Sequence, residues 1–185
     1  MGEAKEKPEP ALVSASAGSM PSVVPESGTK TVAEIIKEVE DGKISLNNSI
    51  QKGNYGEMKM DQYFESQGYE RKSLDRVIDL DGTTHQGIDG VYYKKDGHPP
   101  YIIAEAKYGS SRLSKLVDGT PQMSDDWIEG GKSTPRLELS VGKDVADDIL
   151  LEGYDRVLVT INKDGKITTH KLDSNGKKIK KEKVL

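Results

Sequence analysis

The chain has 185 residues, no cysteine, and 31 acidic against 27 basic side chains, which gives a formal net charge of −4. This length fits one domain with an appendage, and the lack of cysteine excludes disulfide frameworks and thiolate metal sites. No apolar run approaches the ~18 residues of a membrane span, and no apolar stretch follows the N-terminus as it would in a signal peptide. The acidic balance argues against a protein that coats nucleic acid, but it permits an enzyme with a local basic groove.

The N-terminal part of the chain predicts a leader followed by two helices. Residues 1–30 are rich in Pro, Ser, Ala and Glu, which is typical of a disordered leader or linker. Thr31 and Glu34 form a capping-box pattern, which predicts a short helical segment within 31–52. Asn54 is the predicted N-cap of a second helix that runs to about Gln67, so Glu57 falls in the first turn.

The rest of the chain predicts alternating strands and helices within a main domain over 53–172, followed by a basic tail over 173–185. A strand is expected near 69–80, and a hairpin around the Lys95-Asp96-Gly97 turn joins strands 87–93 and 101–108. Thr120 is the predicted N-cap of a helix with Pro121 at its first position. A further helix is predicted over 141–151, then a hairpin of strands 154–161 and 167–172. The tail, five lysines against one glutamate over 177–183, is typical of a solvated, disordered segment, with phosphate-backbone binding as the alternative.

The strand over 101–108 is the most informative segment, because it carries charge within an apolar run. Alternation places Tyr101, Ile103, Glu105 and Lys107 on one face, and Ile102, Ala104, Ala106 and Tyr108 on the other. A buried charge needs a partner or a metal. The hairpin brings a second acid, Asp89, onto the neighbouring strand.

The acid-x-Lys spacing of Glu105 and Lys107 means little by itself, since about four to five such triplets are expected by chance in this composition. Others occur in polar or turn contexts, as in Glu70-Arg71-Lys72, and only this one lies in an apolar strand. One interpretation is a cross-strand ion pair on a half-exposed sheet. The other is that Asp89 and Glu105 hold a divalent cation, Mg²⁺ or also Mn²⁺, with Lys107 beside a scissile phosphate.

These residues resemble the PD-(D/E)xK nuclease superfamily. The resemblance covers about residues 53–130, although no proline precedes Asp89. It implies an α/β (mixed α+β) fold of restriction-endonuclease type, a central mixed β-sheet flanked by helices. It further implies Glu57 as the helical acid, Asp89 and Glu105 as the other metal ligands, and Lys107 as the catalytic lysine. Some members carry a glutamine on the following helix, a role that falls on Gln122.

Several residues near this motif have two interpretations each. Glu57 otherwise complements a helix dipole, and Gln122 otherwise faces solvent. His85, Arg112 and Lys115 are candidate substrate contacts, with ordinary loop residues as the alternative. Trp127 is predicted in the core rather than as a base-stacking platform.

The wider pattern resembles the C-terminal toxin domains of bacterial polymorphic toxins, including contact-dependent inhibition and Rhs-like systems. The segments that carry the likeness are 53–59, 85–90 and 103–109. Such domains are released from a larger secreted protein, act in the cytoplasm of a target bacterium, and are neutralised by a cognate immunity protein. The resemblance implies a Mg²⁺-dependent endonuclease with DNA as the preferred substrate. The alternatives are an RNase or tRNase with the same site, a non-catalytic binding module, and, least favoured, a two-carboxylate glycoside hydrolase.

Overall fold

A computed structural model describes residues 28–84, 86–131 and 134–180. Over these residues the chain forms helices and strands in an α-α-β-β-β-α-α-α-β-β order. Their bounds are α1 (Val32–Glu40), α2 (Ser49–Ser66), β1 (Glu70–Arg71), β2 (Gly90–Tyr93), β3 (Tyr101–Tyr108), α3 (Asp125–Glu129), α4 (Arg136–Val141), α5 (Lys143–Glu152), β4 (Tyr154–Ile161) and β5 (Ile167–Leu172). Within the described ranges, no helix is both long and apolar enough to cross a membrane.

The five strands form one mixed sheet in the order β1-β2-β3-β4-β5. Neighbours are antiparallel except β3 and β4, which run parallel because α3, α4 and α5 intervene as a crossover. The predicted fold class, a mixed sheet flanked by helices, is therefore confirmed. The finer restriction-endonuclease-like arrangement stays a prediction.

Each face of the sheet has its own hydrophobic core, and the side-chain alternation of β3 separates the two. Ile102 and Ala104 pack with buried side chains of α1 and α2. Tyr101 and Ile103 pack on the opposite face with buried side chains of α3, α4 and α5. The predicted division of β3 into two faces is thus confirmed, and it assigns Glu105 to the second face.

The first helix agrees with its prediction, and the second begins earlier than predicted. Thr31 and Glu34 form both hydrogen bonds of a capping box. The predicted N-cap at Asn54 is wrong, because Asn48 caps α2 by accepting from the Gln51 N–H at 2.8 Å. Asn54 is instead buried inside the helix, where its amide donates to the carbonyl oxygens of residues 80 and 82. α2 also runs across the predicted boundary between residues 52 and 53.

Two further element predictions need correction. The strand predicted over 69–80 is limited to β1, because the chain turns away from the sheet where the Leu74 N–H donates to Ser140 O. The helix predicted from Thr120 begins instead at Asp125, with Ser124 as its N-cap. Thr120 lies in a tight turn, in which its N–H donates to the Asp118 carboxylate.

The helix predicted over 141–151 corresponds to α5, which Gly142, at φ 83°, separates from α4.

The C-terminal hairpin of β4 and β5 has the predicted bounds, but the segment after it is more ordered than predicted. Residues 173–179 turn back on β5, since Leu172 and Lys178 form an antiparallel bridge and the Ile179 N–H donates to Lys171 O. The disordered-tail prediction is therefore wrong for this part. Residues 181–185 of the predicted tail, and most of the predicted leader, lie outside the described residues.

Candidate active site

A close contact between α2 and β3 brings the helical acid to the sheet. An added Cβ on Gly56 would lie 3.8 Å from the Ala106 Cβ and 3.7 Å from the Ile161 side chain, so the helix backbone at Gly56 lies close to β3 and β4. Glu57, the next residue, is partly buried well inside a helix that begins at Ser49. The first-turn position predicted for Glu57 is therefore wrong, and the helix dipole gives no reason for an acid there.

The two strand acids lie side by side at the start of β2 and within β3. Gly90 pairs with Ala104 in antiparallel register, so Asp89, one residue before β2, lies opposite Glu105. The Asp89 Oδ2 accepts from the Ala106 N–H at 2.9 Å and so continues the ladder with a side chain. Asp89 is 9% exposed and Glu105 is 3% exposed. Both carboxyl groups are therefore largely removed from water.

Lys107 and Gln122 both reach Glu105 and engage the same oxygen. The Lys107 Nζ donates to Glu105 Oε1 at 2.8 Å, and the Gln122 Nε2 donates to it at 2.6 Å. The Glu105–Lys107 pair lies within one strand and is shielded from solvent, so the half-exposed cross-strand pair is wrong. Gln122 lies in the turn before α3 rather than on the helix, and it faces the acids rather than solvent.

Burial and mutual repulsion make it costly for all three carboxyl groups to be ionised together. Burial, followed by the negative charge of Asp89, raises the pKa of Glu57 to about 9. Burial also raises the pKa of Asp89, against the opposing effect of the Ala106 N–H and Lys107. The pKa of Glu105 lies well above its usual range for the same reasons, burial first and Asp89 second. Perturbed carboxyl groups of this kind are typical of functional sites.

Two carboxyl oxygens of this cluster lack the partner that a buried polar atom normally has. Glu57 Oε2 and Glu105 Oε2 are buried without a hydrogen-bond partner. Fully ionised, the three acids would place three negative charges beside the Lys107 ammonium, which is the only cation that contacts one of the three carboxyl groups among the described residues. A divalent cation fits both the unpaired oxygens and the excess charge, and carboxylate oxygens are hard ligands suited to Mg²⁺. Within the described ranges, no three His, Cys, Asp or Glu side chains are arranged so that they could hold a metal ion together. Mg²⁺ needs only one or two protein carboxylates, with water completing its shell.

A second buried cluster, formed by Asp61, Arg71 and Tyr92, contacts the main chain of the site at Asp89. Asp61 accepts from the Arg71 guanidinium and from the Tyr92 hydroxyl, both at 2.5 Å. The Arg71 Nη2 also donates to the carbonyl oxygen of Asp89 at 3.2 Å. Arg71 therefore ties α2 to the main chain of a site residue, and its charge partly offsets the raised pKa of Glu57, which burial dominates.

Gln122 is fixed from two sides. Its Oε1 accepts from the Ser114 N–H at 3.1 Å, which orients the amide so that Nε2 points to Glu105. On the other side, the C-terminal turn (173–179) packs against the segment that carries Gln122, through a bridge between Asn175 and Ser124. An added Cβ on Gly176 would lie 2.4 Å from the Gln122 carbonyl oxygen, so only glycine fits there.

The remaining predicted residues have mixed placements. Arg112 is exposed beside the β3 end, and Lys115 is exposed on the same loop with its main chain bridged to Pro121. His85 lies outside the described residues. Trp127 is 4% exposed in the second core, as predicted, with the Arg136 guanidinium 4.8 Å from its ring centroid.

Sequence reasoning missed Asp61, Arg71 and the C-terminal turn. Asp61 had a usable signal, because it lies four residues after Glu57 and three before the buried Phe64, on the apolar side of α2. Arg71 had none, since it sits in the polar run Glu70-Arg71-Lys72 and is buried only by tertiary packing. The turn depends on contacts between distant segments.

Comparison with known proteins adds no family assignment. No protein-family model matches the chain, and neither a curated protein nor a solved structure shows significant similarity to it. The functional argument therefore rests on the side chains themselves.

Proposed function

We propose that this protein is a metal-dependent nuclease that hydrolyses phosphodiester bonds, as a member of the PD-(D/E)xK superfamily. One observation carries the proposal: five side chains from four segments converge on one buried, acid-rich point, namely Glu57, Asp89, Glu105, Lys107 and Gln122. A structural ion pair would need Lys107 and one acid only. The two additional acids raise the electrostatic cost of folding and are explained by binding a cation.

The residues divide into ligands and positioning groups. Asp89 and Glu105, with Glu57 beside them, would hold Mg²⁺ or Mn²⁺. When bound, the metal supplies an activated water and stabilises charge that develops on the phosphate oxygens. Lys107 and Gln122 hold Glu105 by Oε1 and leave Oε2 without a hydrogen-bond partner, so Oε2 would be available to the cation. The Lys107 ammonium, which donates to Glu105 Oε1, would stabilise negative charge on the scissile phosphate.

Cleavage of nucleic acid tests the proposal directly. Plasmid DNA and total tRNA are incubated with the protein in Mg²⁺ or Mn²⁺, with and without chelator. DNA is the expected substrate and tRNA the alternative. We expect Glu105→Ala and Lys107→Ala each to lower the cleavage rate by at least about a hundredfold.

The chain offers a matched control for these two variants. Glu70 and Lys72 have the same acid-x-Lys spacing and the same 2.8 Å contact, but Glu70 is exposed in β1 and Lys72, just after the strand, is only partly buried. Glu70→Ala and Lys72→Ala should leave cleavage near the wild-type rate. Full activity in Glu105→Ala would refute the assigned site. If the wild type cleaves neither substrate, with or without added metal, a binding module would be favoured instead.

We also propose that this nuclease is a toxin domain of a larger secreted bacterial protein, acting in the cytoplasm of a target bacterium and neutralised by an immunity protein. The support is the motif resemblance together with a site suited to damaging nucleic acid. Expression in a bacterium should arrest growth for the wild type and not for Asp89→Ala. Equal toxicity of the wild type and Asp89→Ala would show that toxicity does not depend on this site. A small protein encoded in the adjacent reading frame that restores growth would identify the immunity partner.

A further inference from the structure

A cleft of about 570 Å³ opens at the end of β3, the strand that carries Glu105 and Lys107. We call it the basic cleft; it is lined by the loop 109–113 together with Leu158, Thr160 and Lys178. Among the described residues, its polar side chains are hydroxyls and the two cations Arg112 and Lys178, and no carboxylate lines it. In a chain with a net charge of −4, such a lining produces a local positive surface.

The basic cleft lies on the same face of the sheet as Glu105 and Lys107. In the parallel register of β3 and β4, Leu158 pairs with Glu105 and Thr160 pairs with Lys107. Paired residues project to the same face, so the floor of the cleft continues directly from the site. The cleft wall is joined to the site as well, because Ser114 follows the lining loop and bonds to Gln122.

Lys178 is held in this cleft by the C-terminal turn rather than by chance placement of a tail. The Asp173 carboxylate accepts from the N–H groups of Asn175 and Lys177 at 2.8 and 3.0 Å. The bridge between Leu172 and Lys178 then sets the lysine beside β5. Because the main chain that carries Lys178 is ordered before binding, less backbone entropy is lost when the lysine contacts a ligand.

Arg112 and Lys178 are also available for binding. Both are exposed, and in the described part of the chain neither side chain has an ion-pair or hydrogen-bond partner. A polyanion that passes over Lys107 would meet both cations next. The hydroxyls of Ser110, Ser111 and Thr160 offer further donors of the kind that contact phosphate oxygens.

We propose that the basic cleft binds the phosphodiester backbone of the substrate strand immediately beside the scissile phosphate, with Arg112 and Lys178 as the phosphate contacts. This inference rests on the nuclease function proposed above. It assigns the C-terminal turn a substrate-binding role, and it predicts sequence-independent binding because phosphate contacts carry no base information.

The test compares Arg112→Gln/Lys178→Gln with a control that removes two cations elsewhere. Lys37→Gln/Lys43→Gln changes the net charge equally, at exposed positions on and after α1, against the opposite face of the sheet. Binding of a fluorescein-labelled DNA duplex and of labelled tRNA is measured by anisotropy in chelator over a range of salt concentrations. Steady-state cleavage of the same probes with Mg²⁺ then gives kcat and KM.

The slope of log K against log salt is negative, and we expect the cleft variant to make it less steep by about 1.8 on duplex DNA, or about 1.4 on a single strand. KM should rise by roughly eightfold at about 0.1 M salt for each cation that no longer neutralises a phosphate, with kcat unchanged. Lys178→Arg should keep most of the affinity. The control should change neither the slope nor KM beyond a small steering effect.

The outcomes separate this inference from the proposed function. Wild-type cleavage with an unchanged salt slope and KM in the folded cleft variant would overturn the basic cleft while leaving the nuclease standing. Failure of the wild type to bind either probe would overturn both. A fall in kcat with KM unchanged would overturn the binding role of the basic cleft, because the two cations would then act on the chemical step rather than on binding.

Discussion

The protonation of Glu57 makes a prediction that needs no substrate. In the metal-free protein the pKa of this buried carboxyl is about 9, against 4.5 for an ordinary glutamate. Between those values the folded protein holds a proton that the unfolded chain releases, so the unfolded state gains stability as pH rises. The stabilisation of the folded state by the proton on Glu57 is therefore fully present below pH 4.5 and is lost progressively up to about pH 9.

The magnitude follows from proton linkage. One extra proton in the folded state lowers the free energy of unfolding by about 1.4 kcal/mol per pH unit, or roughly 3 kcal/mol between about pH 6 and pH 8. Glu57→Gln keeps the size of the neutral side chain and cannot ionise. Between about pH 6 and pH 8, we expect the free energy of unfolding of this variant to fall by roughly 3 kcal/mol less than that of the wild type. The variant should therefore be more stable than the wild type at the higher pH.

Urea unfolding of the wild type and Glu57→Gln in chelator, across that pH range, measures the difference. Glu65→Gln is the control, because Glu65 is an exposed residue of the same helix. Equal pH slopes for the wild type and Glu57→Gln would refute the reasoning, since Glu57 would then be ionised in the folded protein. The same variant should be unable to carry out metal-dependent cleavage despite its greater stability, which a purely structural glutamate would not predict.

Three more variants test the supporting contacts. Gln122→Ala removes a charge-assisted hydrogen bond to Glu105 and should slow cleavage by roughly tenfold to a hundredfold while costing only about 1 kcal/mol of stability by urea unfolding. Arg71→Met leaves Asp61 as a buried charge without its main partner and should lower the unfolding free energy by about 3–5 kcal/mol; a change within error would show that the pair is dispensable. Gly176→Ala should lower both melting temperature and cleavage, whereas Gly42→Ala, at the same φ of 73° but with nothing within 4 Å, should affect melting alone.

Local patterns were sufficient to predict much of the fold. The capping box of α1, the alternation of β3 and the Gly-containing turn between β4 and β5 each specify structure within a few residues, and each is confirmed. The predicted start of α2 was wrong for a reason that lies in the packing. Asn48 and Asn54 both carry a good N-cap side chain, and only the packing of Asn54 against residues 80–82 decides between them.

The site was predicted where it follows strand geometry and missed where it depends on tertiary contacts. Hairpin register alone places Asp89 opposite Glu105, and alternation places Lys107 on the same face. Gln122 was selected through a family resemblance, and the turn that holds it was assigned to a helix. The contact between Arg71 and the Asp89 carbonyl joins residues with no shared pattern, so no periodicity could have indicated it.

The hydrogen bonds around the acids explain why so costly a cluster keeps its shape without a cation. Asp89 is fixed by the Ala106 N–H, and Glu105 is fixed at one oxygen by Lys107 and Gln122. These donors engage one oxygen of each carboxyl group, whereas the Oε2 atoms of Glu57 and Glu105 stay unpaired. Protons on the raised-pKa carboxyl groups relieve the repulsion in the metal-free protein. Because a cation must displace those protons, its affinity should rise with pH, over the same interval in which the metal-free fold loses stability.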